Sequence, residues 1–236
     1  MRHSDGDTIM QANGSAKGFW GLLSDAERGA LSAISLPKTY PPGATMCVEG
    51  DPATHVFVLV DGQVKILSAT NDGQRLMLAL RGDGDIVGES AGATTGHRNA
   101  TIQAIDTVQA LIVNYRKFSS FLNSNPGADQ AYRVVLTQRW NDADSQLRMR
   151  SVTTGAQRLA GLLLQLGARH GITDHDQIQL TISLSQEEWA SLAGTSRATV
   201  TRALSAWRKR GFIRTGQRSI TIIDQRSLRR VAGPRT

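Results

Sequence analysis

Residues 184–207, LSQEEWASLAGTSRATVTRALSAW, constrain the fold of this chain more than any other stretch. Ser185 and Glu188 have the spacing of a capping box, which starts a short helix running through Leu192. Ala190 is small enough to let a second helix cross closely, Gly194 supplies the positive φ of a tight turn, and Val200 falls where a side chain plugs the angle between two helices. These three spacings together specify a helix-turn-helix. Thr195 or Ser196 caps the second helix, and Val200, Leu204 and Trp207 recur at i, i+4, i+7 as its inner stripe. The outer face is then Arg197, Ala198, Thr201, Arg202 and Ser205. Two arginines about one turn apart at a helix start suit bidentate donation to guanine O6 and N7 in a major groove. A solvated basic face on an ordinary helical hairpin is the bland alternative.

Charge separates the two. Residues 1–150 carry 14 Lys/Arg against 15 Asp/Glu, while residues 151–236 carry 13 against 5, so the net charge of +7 sits in the C-terminal third and points to a polyanionic partner. A basic amphipathic stretch also suits an anionic membrane. However, no apolar run approaches the length of a spanning helix and the start, Met1 to Lys17, has no apolar core of a signal peptide. A soluble, cytoplasmic protein is expected. The single Cys47 excludes an intramolecular disulfide and a cage of several thiolates; lying between Met46 and Val48, it reads as a buried, inert thiol, with a lone redox thiol as the alternative.

Residues 1–17 are polar and aperiodic, the pattern of a tail. Ser24 to Glu27 is a second capping box, starting a short helix. Residues 36–113 read as short strands cut by turn signals such as Pro41-Pro42-Gly43 and Asn71-Asp72-Gly73, with alternating runs at Val56–Val60 and Leu76–Leu80, which indicates an antiparallel roll or barrel. After Asn125-Pro126 the texture is helical for about 45 residues. Tyr132, Val135, Leu136, Ala143 and Leu147 form one stripe, interrupted by Arg139 and Asp142. That stripe either packs on its own roll or pairs with a second copy as a dimer seam, and the DNA-binding element favours the dimer. Gly155 marks a bend before the next helix, Ala156 to Ala168. A polar link, Gly171 to Gln177, a strand over Ile178–Leu184, the helix pair and a final hairpin follow. Phe212 to Ile223, two apolar strands around a basic Gly turn, reads as a wing whose Arg214 and Arg218 meet phosphates. The α+β division expected is 1–17 tail, 18–125 β-roll sensor domain, 126–154 dimerisation helix and hinge, and 155–236 winged helix-turn-helix.

Over about residues 18–230 the chain resembles the superfamily of the cyclic-AMP receptor protein and the fumarate-nitrate reduction regulator. The resemblance rests on Thr195 to Arg202 and on the cassette from Gly88-Glu89 to Arg98. It implies a homodimeric transcription regulator on a palindromic operator, with Arg197 and Arg202 reading guanines, Ser196 and Thr199 on phosphates, Ser185, Ala198 and Thr201 at the same interface, and RNA polymerase as a further partner. Where the receptor protein has a base-reading glutamate this chain has Ala198, so its operator should differ at that base pair.

The cassette Gly88 to Thr101 offers backbone N–H groups, an arginine and a carboxylate, which together suit a phosphate and a ribose hydroxyl; a salt bridge across a barrel rim is the alternative. The resemblance places Glu89 on a ribose hydroxyl and Arg98 on a cyclic phosphate, with Gly88, Ser90, Asn99, Ala143 and Asp144 around them, at a spacing like that of the kinase regulatory subunits. Asn99 stands where Ser or Ala is usual, Ser90, Gly92 and Ala93 replace apolar residues, and Ala143-Asp144 stands where Thr-Ser holds adenine. The phosphate end is kept and the base end is not. A nucleotide-type effector is expected, with cyclic AMP as leading candidate and another nucleotide or none as alternatives. The five histidines, His3, His55, His97, His170 and His175, show no haem-ligand pattern. No enzyme motif or metal cluster appears. The second functional reading is a cyclic-nucleotide-binding scaffold whose winged helix contacts protein or RNA, and Arg197 with Arg202 speaks against it.

Overall fold

The computed structural model describes residues 18–70, 75–90, 96–217 and 219–233. The first compact unit comprises residues up to Ile66 together with Leu80–Gln138, and the second comprises Leu67–Ala79 with Arg139 onward.

Helices α1 (Gly18–Leu22) and α2 (Asp25–Ala33) precede eight strands, β1 (Leu36–Tyr40), β2 (Thr45–Cys47), β3 (His55–Asp61), β4 (Val64–Ala69), β5 (Arg75–Arg81), β6 (Ile86–Val87), β7 (Thr101–Ala104) and β8 (Val108–Asn114). They form two antiparallel four-stranded sheets, ordered β1-β8-β3-β6 and β2-β7-β4-β5, which is the expected roll. The run Val56–Leu59 departs from alternation, because all four residues are buried. Val56 and Val58 face a cluster built with Phe19, Leu31, Phe118, Phe121 and Ala131, while Phe57 and Leu59 face the interior with Tyr40, Val87, Ile102 and Val108. A strand covered on both faces has no polar side to alternate with. The Ser24–Glu27 capping box forms as read.

α3 (Tyr115–Ser124) and α4 (Pro126–Val152) follow. Phe19, Phe118 and Tyr132 meet edge to face at centroid distances of 5.5–6.2 Å, joining α1, α3 and the start of α4. The apolar stripe of α4 is therefore divided. Tyr132 and Val135 pack on the first unit's own core, whereas Leu136 and Leu147 are exposed. Trp140, absent from the sequence reading, is 77% exposed and completes a 3-4 spacing of 136, 140, 143 and 147. Asp142 does not merely interrupt the stripe: its Oδ2 accepts from Arg169 Nη2 at 2.6 Å.

The second unit continues with α5 (Gly155–His170), β9 (Ile172–Asp174), β10 (Gln177–Leu180), α6 (Gln186–Ala193), α7 (Arg197–Lys209), β11 (Ile213–Gly216), β12 (Ser219–Ile222) and α8 (Gln225–Ala232), with sheet order β11-β12-β10-β9. Thr154 caps α5 through a box with Gln157, so Gly155 is its first helical residue. Three expectations need correction. The strand read over Ile178–Leu184 stops at Leu180, where its ladder with Ile220–Ile222 ends. The polar link Gly171–Gln177 contains β9, an exposed strand defined by pairing with β10. The chain adds α8 after the hairpin, capped by Asp224 and burying Leu228.

At one end of the roll, Asp106 Oδ1 accepts the Gln63 N–H at 2.7 Å. Burial, with a contribution from Asp61, raises the Asp106 carboxyl above its ordinary value of 3.8, while its backbone hydrogen bonds oppose the shift. The folded state then holds this proton more tightly than the unfolded chain, so the stability contribution declines as pH rises from 3.8 through the raised value. Asp106→Asn keeps an acceptor without charge. It is expected to raise the thermal midpoint at pH about 7 and flatten that decline; a lowered midpoint at neutral pH in thermal melts would contradict it.

Candidate functional site

The reading face is built locally. The Ser185 side chain accepts the Glu188 N–H at 3.2 Å and the Ser185 N–H donates to Glu188 Oε2 at 2.7 Å, starting α6. Gly194 ends it at φ 57°, ψ 45°, the left-handed conformation the tight turn demands. Of the two candidate caps, Ser196 starts α7, accepting the Thr199 N–H at 3.2 Å and pairing with Thr199 Oγ1 at 3.0 Å. Val200 is fully buried with Ala203 and Trp207, so the inner stripe runs through Ala203, and Leu204 is only half-buried. Arg197, Ala198, Thr201 and Arg202 are exposed together on the outer face, while Ser205 is half-buried.

Arg208 and Lys209 occupy the last turn, and Gly211 follows at φ 71°. Arg214 is exposed on β11, opposite Thr221 of β12. Arg218 lies outside the described residues. Two contacts on this surface escaped the sequence reading: Glu187 Oε1 lies 3.0 Å from Arg197 Nη1, and Thr201 Oγ1 donates to Gln186 Oε1 at 2.5 Å. The signal available was their place in the first turn of α6, one helix away from the arginines.

Behind this face, Arg158 of α5 donates to three main-chain oxygens, Thr153 at 2.5 Å, Ala193 at 2.9 Å and Gly194 at 2.6 Å. Gly155 approaches the same turn so closely that a Cβ there would overlap Thr195 Oγ1. The link between α4 and α5 and the helix-helix turn are thus fastened to each other.

In the first unit, Glu89 and Arg98 are both buried, 6% and 3% exposed. Arg98 Nη1 donates to the Gly88 carbonyl at 3.0 Å and Nη2 to the His55 carbonyl at 2.8 Å, with the guanidinium 5.4 Å over the Phe57 ring. Gly88 sits at φ 80°, a conformation that favours glycine, and a Cβ there would lie 2.5 Å from Arg98 Nη1 and displace the guanidinium. The Tyr115 hydroxyl donates to the Glu89 carbonyl, and Asn99 Nδ2 lies 3.4 Å from Ser90 Oγ. Residues 91–95 of the cassette, including Gly92 and Ala93, lie outside the described residues, as does His3.

Gly88, Glu89, Ser90, Arg98 and Asn99 are therefore gathered in one place, whereas Ala143 and Asp144 belong to the second unit, on α4. Burial, then the nearby Arg98 and Lys38 charges, hold the His55 imidazole below its usual value. Cys47 is half-buried rather than buried, and burial raises its thiol. Among the described residues, no group of three or more His, Cys, Asp or Glu is placed to hold a metal, and no helix is long and apolar enough to cross a membrane.

Comparison with known proteins finds a relative for each of the two halves of the chain. The cyclic nucleotide-binding domain family matches residues 37–125 and the Crp-like helix-turn-helix domain family residues 157–231. The CRP-like cAMP-activated global transcriptional regulator of Mycobacterium tuberculosis is 31% identical over 215 residues, 90% of this chain and 96% of that protein. The cyclic AMP receptor protein of Thermus thermophilus is 28% identical over 214 residues, 91% of this chain and 95% of that one. The structure of FixK2 from Bradyrhizobium japonicum shares the fold, with a TM-score of 0.73 at 19% identity, covering 86% of this chain and all of that one. With a cyclic nucleotide-binding domain before a Crp-like helix-turn-helix, and with relatives that are transcriptional regulators, the chain belongs to the CRP/FNR family of transcription regulators.

Proposed function

We propose that this regulator acts as a homodimer on a palindromic operator, that Arg197 and Arg202 of each α7 read guanines, and that the roll holds a nucleotide-type effector. The observation that carries the DNA reading is the exposure of Arg197, Ala198, Thr201 and Arg202 as one surface on a helix capped by Ser196 and seated on Val200 and Trp207. A winged helix that docks on protein or RNA has no need of two guanidinium forks at the start of this helix. Ser196, Thr199 and the wing residues Arg214 and Arg218 supply phosphate contacts that set register without reading bases, with Ser185 at the same interface. The exposed 136-140-143-147 row on α4 is the seam for the second copy.

In the roll, Glu89 and Arg98 are assigned to a ribose hydroxyl and a phosphate, with Gly88, Ser90 and Asn99 beside them. The two relatives reported above carry cyclic AMP in their names, which makes it the first nucleotide to try. Binding there would shift the hinge near Met149 to Gly155 and so the spacing of the two α7 helices, toward one DNA turn of about 34 Å. RNA polymerase is the further partner, and the cytoplasm the compartment, that this role implies.

Arg197→Ala is expected to weaken binding to a selected operator about 10- to 100-fold and to relax one base position, as loss of a bidentate guanine contact does. Arg214→Ala should instead weaken all sequences evenly and lower the salt slope by about 1. Titration of labelled duplexes at several salt concentrations measures both. Unchanged affinity and base preference in Arg197→Ala would refute the reading.

A further inference from the structure

The first turn of α6 carries two glutamates, and its cap uses only one. Glu188 closes the box with Ser185. Glu187 reaches α7 instead, its Oε1 3.0 Å from Arg197 Nη1, with both side chains well exposed at 60% and 68%. Beside it, Gln186 accepts from Thr201 at 2.5 Å, so the starts of the two helices are joined across the same surface. An exposed ion pair of this kind adds little to stability. Its consequence lies in where it holds a long, rotamer-rich side chain.

We propose that Glu187 is a specificity-determining residue that positions the Arg197 guanidinium for guanine. One nitrogen of the planar fork pairs with the carboxylate, which narrows the orientations in which the remaining donors are presented. The residue after Arg197 is Ala198, which carries no carboxylate, and the acidic group beside Arg197 comes from α6. A carboxylate on a DNA-facing surface also repels phosphates whatever the sequence. Glu187 therefore opposes binding everywhere and favours it selectively at the correct base. Removing its charge should move general affinity and discrimination in opposite directions, which a merely structural contact would not do.

This inference rests on α7 being the base-reading helix, and the test separates the two. The full chain is used to select an operator from randomised DNA. Wild type, Glu187→Gln and Arg197→Ala are then titrated with that operator, with single-base variants of it and with random duplex, and their thermal midpoints are compared. The base position that Arg197→Ala relaxes defines its guanine. Glu187→Gln is expected to bind random duplex about 2- to 5-fold tighter through loss of one negative charge near phosphates. Its preference for that guanine should fall about fivefold or more, with the thermal midpoint unchanged. Guanine preference within about twofold of wild type overturns the proposal, as does a parallel loss of all affinities with a lowered midpoint. If Arg197→Ala relaxes no position, the assignment of α7 fails first and this proposal falls with it.

Discussion

Replacing Arg98 by alanine is expected to lower the unfolding free energy of the roll by about 3 kcal/mol, even with no nucleotide in solution. The side chain is 3% exposed, and its two guanidinium contacts go to the main-chain carbonyls of Gly88 and His55. Alanine leaves both oxygens without their donor and opens a void over Phe57. Denaturant titration should show a lower midpoint at an unchanged slope; an unaltered midpoint would remove the structural role. This bears on the effector as well. Calorimetry with cyclic AMP and other nucleotides is expected to lose its heat in Arg98→Ala, and the comparison must be run at temperatures where circular dichroism shows the variant folded. Equal heats from the two proteins would exclude the phosphate assignment.

Arg158→Met is expected to destabilise the second unit by about 2–3 kcal/mol, because three oxygens lose charge-assisted donors at once. Two of them, on Ala193 and Gly194, lie at the C-terminal end of α6, where the helix dipole is negative and a cation is worth most. The third, on Thr153, precedes α5. Arg158→Lys should recover only part of the loss, since one ammonium cannot span three carbonyls on separate segments. Thermal melts and operator titrations should decline together, as the turn that sets the start of α7 loosens. Melts indistinguishable from wild type would show that the close approach of Gly155 to Thr195 holds this junction by itself.

The helix-turn-helix was readable because its determinants are local. A serine three residues before a glutamate, a glycine at the turn and an apolar stripe at helical spacing act within one or two turns of chain. The structural role of Arg98 was not readable, since its acceptors are ten and 43 residues away and are main-chain atoms that leave no mark in composition. Glu187 and Gln186 were passed over for a related reason: their partners sit on the next helix, 10 and 15 residues on. α8 and β9 were missed because neither stands alone. An eight-residue helix is too short to persist without packing, and a three-residue exposed strand is defined only by its neighbour.

What the residues determined unaided is the class of each segment and the chemistry it offers: strands punctuated by turns, a long helix with an apolar row, and a basic capped helix able to enter a groove. Tertiary structure alone decided how those offers are used. It divided the α4 row into a part that packs on Phe19 and Phe118 and a part that remains exposed, turned Arg98 toward carbonyls, and brought Glu187 to Arg197. Periodicity reports which face of an element is apolar, but it does not report what that face will meet. Contact partners far apart in sequence are chosen by the packing of whole elements, which no local window contains.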